Sequence, residues 1–73
     1  MKEIDFHGME LDDAENAALK VVDEVRLARK EEVYTFITGR GVIQNALLKL
    51  MKESDCVAYI PMGNQGTLVV EIS

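Results

Sequence analysis

The sequence Ile37-Thr38-Gly39-Arg40-Gly41 stands between a β-branched and aromatic run and a segment with helical spacing. Glycine tolerates backbone angles that other residues avoid, and it lets a ligand come close to the main chain. The first N–H groups of a helix lack internal partners and carry partial positive charge. We call residues 38–41 the glycine loop. Its position before a helix predicts a binding site for an anion such as phosphate, and Arg40 adds a full positive charge to that site. The alternative is that Gly-x-Gly only connects the strand to the helix.

Asp5 and His7 form a second candidate pair, because a single residue separates them at the end of the first predicted strand. Hydrolysis of a phosphodiester needs a group that activates the attacking oxygen, stabilisation of the transition-state charge and help for the leaving oxygen. Histidine serves as an acid or a base near neutral pH. Asp5 lies two residues earlier and points to the same sheet face, so it could orient the imidazole or stabilise its charge.

Each of these side chains also has a purely structural interpretation. His7 could cap the strand end by bonding a backbone carbonyl, and Asp5 could be a solvated residue on the open side of the sheet. The basic cluster of Arg26, Arg29 and Lys30 is interpreted as a solvated helix end. Three aromatic side chains could stack on bases if exposed, but their strand spacing favours packing instead: Tyr34, Phe36 and Tyr59.

The composition describes one soluble globular domain that spans residues 1–73, because so short a chain leaves no room for a second core. Eight basic and thirteen acidic residues give a net charge of −5. That charge repels polyanions at long range and argues against a strong nonspecific nucleic-acid binder. Any contact with nucleic acid must therefore be local. A membrane span would need about 20 consecutive apolar residues, and the sequence has no such run.

The single cysteine, Cys56, cannot form an internal disulfide. The first residues are charged rather than apolar, which predicts no signal peptide, so we expect a protein of the reducing cytoplasm. Cys56 is expected to pack in a strand, because a nucleophilic role needs a nearby base and the one histidine lies far away in sequence. No metal site is predicted, since one histidine with scattered carboxylates offers no ligand cluster of recognisable spacing, and the cofactor is left unspecified.

Hydrophobic periodicity predicts six elements in the order βαβαββ. Alternating or β-branched runs predict strands, and apolar residues three and four apart predict helices. The predicted strands are Glu3 to Phe6, Val33 to Ile37, Cys56 to Ile60 and Thr67 to Ile72, and the predicted helices are 11–29 and 42–53. The last two strands form a hairpin through the turn residues 61–66, which we call the hairpin loop.

A helix of this length between two strands is the usual way to join parallel neighbours, and such crossovers are right-handed. Both helices then cover one face of a four-stranded sheet, which makes a two-layer α/β (α+β) sandwich. The apolar helix positions expected to face the core are Val21, Val22, Val25, Leu47, Leu50 and Met51.

The first three strands are predicted to end at the same edge of the sheet. His7-Gly8, the glycine loop and the hairpin loop should therefore emerge together, close to the first-turn acids Asp12 and Asp13. Ligands of open α/β sheets favour this carboxyl edge. The organisation of the chain alone thus predicts a binding site there.

Two glycine motifs, Asp5-x-His7-Gly8 and the later glycine loop, make the sequence resemble a known family. The chain opens with Ile4-Asp5-Phe6-His7-Gly8 and an acidic amphipathic helix, continues through the glycine loop, and closes with residues 66–72. This pattern resembles the Smr domain, the small MutS-related domain, over essentially all 73 residues. Asp5-x-His7-Gly8 matches the leucine-aspartate-x-histidine-glycine motif of that family.

The resemblance implies a fold similar to the C-terminal domain of translation initiation factor 3, with strand order 1-2-4-3 and strand four antiparallel to the others. It implies DNA or RNA as the ligand, a role in DNA repair or RNA binding, and the rest of a larger MutS-type protein as a partner. Several members of the family are described as nicking or RNA endonucleases. By the resemblance, Asp5 and His7 are catalytic, and the substrate-binding residues are Gly8, Thr38, Gly39, Arg40 and Gly41.

This sequence departs from the family pattern around the glycine loop. Thr38 replaces the leading histidine of the second motif, the loop is about two residues shorter, and Gln44 stands where a basic residue is often found. These changes bear on cleavage more than on binding. Three interpretations remain open: an endonuclease, a nucleic-acid-binding module without cleavage, and an interaction domain that uses the open sheet face.

Overall fold

Four strands and two helices follow one another in the predicted order in the computed structural model, which describes residues 2–73. They are β1 (Lys2–Asp5), α1 (Leu11–Leu27), β2 (Glu32–Ile37), α2 (Val42–Glu53), β3 (Val57–Tyr59) and β4 (Thr67–Ile72). Neither helix of this described part is long and apolar enough to cross a membrane.

The four strands form one mixed sheet in the order β1-β2-β4-β3. β1 and β2 are parallel, whereas β4 runs antiparallel to β2 and β3. This is the strand order that the resemblance implied. The register pairs Asp5 with Ile37 and Ile37 with Thr67, so the ends of β1 and β2 and the start of β4 lie side by side.

Both helices pack on one face of the sheet, as predicted. They contact each other, and alternate residues of the strands supply the other side of the core. Phe36 of β2 is fully buried, and its ring meets that of Phe6 edge to face at 4.7 Å between centroids. The largest fully buried side chains are Phe6, Phe36, Leu47, Met51, Leu68, Ile72, Val22 and Val70.

The predicted helix faces are confirmed in most positions. Four of the six predicted core residues are buried, while Val21 and Leu50 lie partly buried at the border of the core. Ala14 and Ala18 have no exposed surface and belong to the core as well.

Helix α1 ends at Leu27, two residues earlier than predicted. Arg29 adopts a left-handed conformation with φ of 55° and donates its N–H to the carbonyl of Arg26. The N–H of Lys30 donates to the carbonyl of Val25. This pair of bonds is a Schellman ending, whose left-handed position is usually occupied by glycine. The sequence has arginine there, so the end of the helix carries no recognisable signal.

Three predicted strands also differ at their ends, and β2 begins one residue earlier than predicted, at Glu32. β1 spans Lys2–Asp5, and Phe6 lies beyond it, although its N–H still donates to the carbonyl of Ile37 at 2.7 Å. β3 contains three residues, because Cys56 belongs to the turn that closes α2 and its N–H donates to the carbonyl of Met51. At Cys56 a local turn hydrogen bond therefore takes the place of a ladder bond, whereas Phe6 keeps one bond to β2.

Candidate functional site

The glycine loop, the hairpin loop and the turn after β1 meet at the carboxyl edge of the sheet. The N–H groups of Thr38 and Gly39 both donate to the carbonyl of Gly66, at 3.1 and 2.9 Å. A Cβ atom added to Gly39 would lie 3.4 Å from Cδ2 of His7, so the imidazole lies directly against this glycine. The structure thus brings His7 and the glycine loop together, as the strand order predicts.

Asp5 contacts the main chain of His7 rather than its ring. Its Oδ1 accepts the backbone N–H of His7 at 2.8 Å, and the N–H of Met9 donates to the carbonyl of Phe6 in the same turn. His7 is exposed, and within residues 2–73 its imidazole makes no hydrogen bond. Among residues 2–73, Asp5 thus makes no hydrogen bond that would orient the imidazole, and its catalytic role stays a prediction. The side chain that hydrogen-bonds the main chain at this strand end is that of Asp5 and not that of His7.

Two further predicted substrate-binding residues differ in their accessibility. Thr38 is buried, and its hydroxyl donates to the carbonyl of Gly39 at 2.7 Å, so this side chain is used inside the loop. Gly8 is exposed and has φ of 82°, which an L side chain would adopt only with strain. Its role in the geometry is therefore to let the chain turn after β1.

The start of α2 is open to solvent and has no side-chain cap. Gly41 precedes the helix with φ of 114° and ψ of −134°, a conformation that is essentially reserved for glycine. No acidic residue lies in the first turn of the helix, and both Gly41 and Arg40 are exposed. The partial positive charge of the helix end is therefore not neutralised by the protein, and the exposed N–H groups can donate to an anion.

Acidic side chains lie on the side of the carboxyl edge that β1 and α1 form. α1 begins near this edge, and its first turn contains Asp12 and Asp13, which neutralise the end of that helix. Asp5 is exposed in the strand beside it. Attraction for a polyanion is therefore confined to the start of α2 and to Arg40.

Gln44 connects α2 to the chain around the start of β4, a contact that sequence reasoning did not recognise. Its side chain is buried, and Nε2 donates to the carbonyls of Gln65 and Thr67 at 2.6 and 3.0 Å. Together with the bonds to Gly66, these contacts occupy three consecutive carbonyls of the chain that leads into β4. A sequence signal was present, because Gln44 lies three residues before Leu47 on the buried face of α2.

The aromatic side chains separate into two groups. Tyr34 and Phe36 are buried in the core, so neither can stack on a base. Tyr59 lies on the other face of the sheet and is 45% exposed. Only Tyr59 is therefore open to a ligand, and it lies on β3 rather than in the glycine loop.

Cys56 takes no part in the candidate site. It is buried just before β3, and burial raises the pKa of its thiol, an effect that Arg26 opposes and Asp55 reinforces. The raised pKa keeps the thiol protonated and poorly nucleophilic. Cys56 is therefore packed and unreactive, as expected, although it lies just before β3 and not in the strand.

The basic cluster at the end of α1 is only partly a solvated helix end. Arg26 donates through Nη2 to the carbonyl of Ser54 at 2.6 Å and through Nε to an oxygen of Ser73 at 3.3 Å. It therefore links α1 to two later segments of the chain. Arg29 and Lys30 are exposed, as the interpretation of this cluster expects.

Among residues 2–73, no group of three or more histidine, cysteine, aspartate or glutamate side chains is arranged to hold a metal ion. At the carboxyl edge the described residues include the exposed imidazole of His7, the guanidinium of Arg40 and the N–H groups at the start of α2.

Comparison with solved structures finds the Smr domain of MutS2 from Thermus thermophilus, with a TM-score of 0.76, 18% sequence identity and complete coverage of both chains. No protein-family model and no curated protein matches the sequence. At this identity the likeness is one of fold, and it includes the four-stranded mixed sheet and both helices. This chain therefore has the fold of an Smr domain, the fold that its two glycine motifs indicated.

Proposed function

We propose that this chain is an Smr-family domain that binds nucleic acid at its carboxyl edge and cleaves the phosphodiester held there. The observation that carries the proposal is the uncapped start of α2, with no acid in its first turn, beside the exposed Arg40 and the imidazole of His7. The fold likeness to a domain of MutS2 supports it, and so does the match to the family motif around His7. The rest of a MutS-type protein is part of the proposed context.

Phosphate binding follows from the main chain of the loop. Backbone N–H groups at a helix start donate to the non-bridging oxygens of a phosphate, and the helix dipole favours the negative charge. Arg40 supplies a charge-assisted contact from the side. Since the net charge of the protein is −5, these local groups rather than a basic surface would hold the ligand.

Cleavage would use His7 as the acid or base. The ring lies against Gly39, within the same cluster of loops as the proposed phosphate site. It would take a proton from the attacking oxygen or give one to the leaving oxygen, while Arg40 and the N–H groups stabilise the charge on the phosphate. Cleavage should be measured on both DNA and RNA, with and without a chelator of metal ions.

Binding without cleavage is a second candidate, and one observation favours it. Asp5 and the Thr38 hydroxyl are both occupied by the main chain, so no described side chain fixes the imidazole in one orientation. A general acid or base acts well only when it is held within reach of the proton. Retained binding with no cleavage of either nucleic acid would favour this candidate.

His7→Ala is expected to reduce cleavage of an oligonucleotide by a factor of about 10² to 10⁴, the usual contribution of general acid–base catalysis. The thermal midpoint should stay nearly unchanged, because the imidazole is exposed and makes no hydrogen bond in the described chain. Rates on DNA and RNA and a thermal scan check both statements. The matched control is Asn16→Ala, an exposed change on α1. Full activity in His7→Ala would remove this residue from the mechanism.

Arg40→Ala is expected to weaken oligonucleotide binding equally for all sequences, because the guanidinium contacts phosphate and not bases. The slope of log affinity against log salt should fall by about one unit, since one phosphate contact releases roughly one counterion. Fluorescence anisotropy over a salt series measures both quantities. Lys30→Ala, the same charge change on an exposed residue beyond the far end of α1, should leave the slope unchanged. Equal losses in the two variants would mean that only net charge matters.

A further inference from the structure

The sheet face turned away from the helices, which we call the open face, is defined by the register of the strands. Three rows of side chains cross it, because paired residues on neighbouring strands point to the same side. The rows are Val33, Glu71 and Val57; Glu3, Thr35, Val69 and Tyr59; and Asp5, Ile37 and Thr67. Each row contains one carboxylate and at least one apolar residue.

The open face is more apolar than is usual for a sheet face that is exposed to solvent. An antiparallel strand with one wet face usually alternates apolar and polar residues. β4 does not, since Val69 points to the open face and is only 7% exposed beside Tyr59. Val57 and Val33 are 57% and 37% exposed in the adjoining row. Val69 and Tyr59 in the middle row, with Val33 and Val57 in the next row on either side of Glu71, form what we call the apolar strip of the open face.

Every charged side chain on the open face is acidic. Glu3, Asp5 and Glu71 are exposed, and within residues 2–73 none of the three is paired with a lysine or arginine. The ion pair between Lys2 and Glu32 uses residues whose strand partners face the helices. The apolar strip therefore lies among carboxylates that have no cation to neutralise them.

A groove marks one end of the strip. It has a volume of about 450 Å³, and its lining includes Val33, Val57 and Glu71 together with Glu31 and Asp55. Val33 and Val57 both pair with Glu71, so the carboxylate stands between two apolar walls. Such a groove suits a long side chain with an apolar stem and a positive end.

Charge decides which occupant this face fits. Nucleic acid would place its phosphates against three carboxylates, which is unfavourable. A second copy in a two-fold dimer would place the same patch against itself, acid against acid, with a net charge of −5 on each partner. We infer that the open face docks a basic segment of another protein, with apolar side chains between its lysines or arginines. Opposite charges then meet around an apolar centre.

The inference is tested with the ¹⁵N-labelled chain and a short synthetic peptide of alternating lysine and valine. We expect amide shifts confined to the four strands of the sheet, with an affinity that falls as salt is added. The double variant Glu3→Gln and Glu71→Gln should bind about two- to fivefold more weakly for each charge removed, the range for one exposed ion pair. Val57→Ser should weaken binding as well, since Val57 is a wall of the groove.

The matched control is Glu24→Gln with Glu53→Gln, which removes two exposed charges from the helices. This variant should bind the peptide with unchanged affinity. Equal weakening by the control, or amide shifts on the helices or the glycine loop, would overturn the inference. So would an oligonucleotide that perturbs the open-face amides, or self-association that perturbs them as the protein concentration rises.

Discussion

Leu47→Ala is expected to lower the free energy of unfolding by about 2–5 kcal/mol, the range for truncating a buried leucine. Leu47 has no exposed surface and lies at the middle of the α2 face that covers the sheet. For 73 residues the whole stability is roughly 4–11 kcal/mol. The variant should therefore be close to unfolding, and urea denaturation measures the loss.

Leu27→Ala is the matched control, because it makes the same change at a leucine that is 84% exposed. It should alter the free energy of unfolding by no more than about 0.5 kcal/mol. A small loss for Leu47→Ala, comparable to that of the control, would contradict the placement of this residue in the core.

The elements could be predicted because hydrophobic periodicity records which side of each segment is buried. Leu47 and Met51, four residues apart, fall on one side of a helix in the sequence and are both fully buried in the structure. The end of α1 could not be predicted, since Arg29 holds a left-handed position that glycine normally occupies. The backbone conformation at the end of a helix depends on hydrogen bonds that cannot be deduced from the residue type.

The place of the candidate site could also be predicted, since parallel strands must end at one edge. That rule brings His7 beside the glycine loop. The individual contacts could not be predicted, because strand alternation gives the face of a side chain and not its hydrogen-bond partner. Asp5 points to the expected face, yet it bonds the N–H of His7. The contacts of Gln44 could not be predicted either. In the sequence Gln44 only stood where the family often has a basic residue, whereas in the structure its buried amide donates to the carbonyls of Gln65 and Thr67.

Gln44→Glu is expected to lower the free energy of unfolding by about 3–5 kcal/mol at neutral pH, the range for a buried charge without a partner. The amide donates to the carbonyls of Gln65 and Thr67. A carboxylate at this position cannot donate, and it would face two oxygens of the same sign inside the protein. Urea denaturation at neutral pH measures the loss.

The loss should depend on pH with a definite sign. Burial and the two carbonyls favour the neutral form of the introduced carboxyl, so its pKa in the folded state is raised above the unfolded value of about 4.3. The variant is therefore most stable below the unfolded pKa, where the protonated acid can still donate one hydrogen bond. Its stability is lost as the pH rises through the raised pKa.

Asn45→Asp gives the matched control, because it makes the same change from amide to acid one residue later on the exposed side of α2. Near a helix start an added negative charge is slightly favourable, so this variant should be within about 0.5 kcal/mol of the original. The amides of the glycine loop should shift more in Gln44→Glu than in Asn45→Asp, since the side chain of Gln44 donates to the carbonyls of Gln65 and Thr67. A loss in Gln44→Glu that does not change with pH would show that packing, rather than the two donated hydrogen bonds, is what Gln44 contributes.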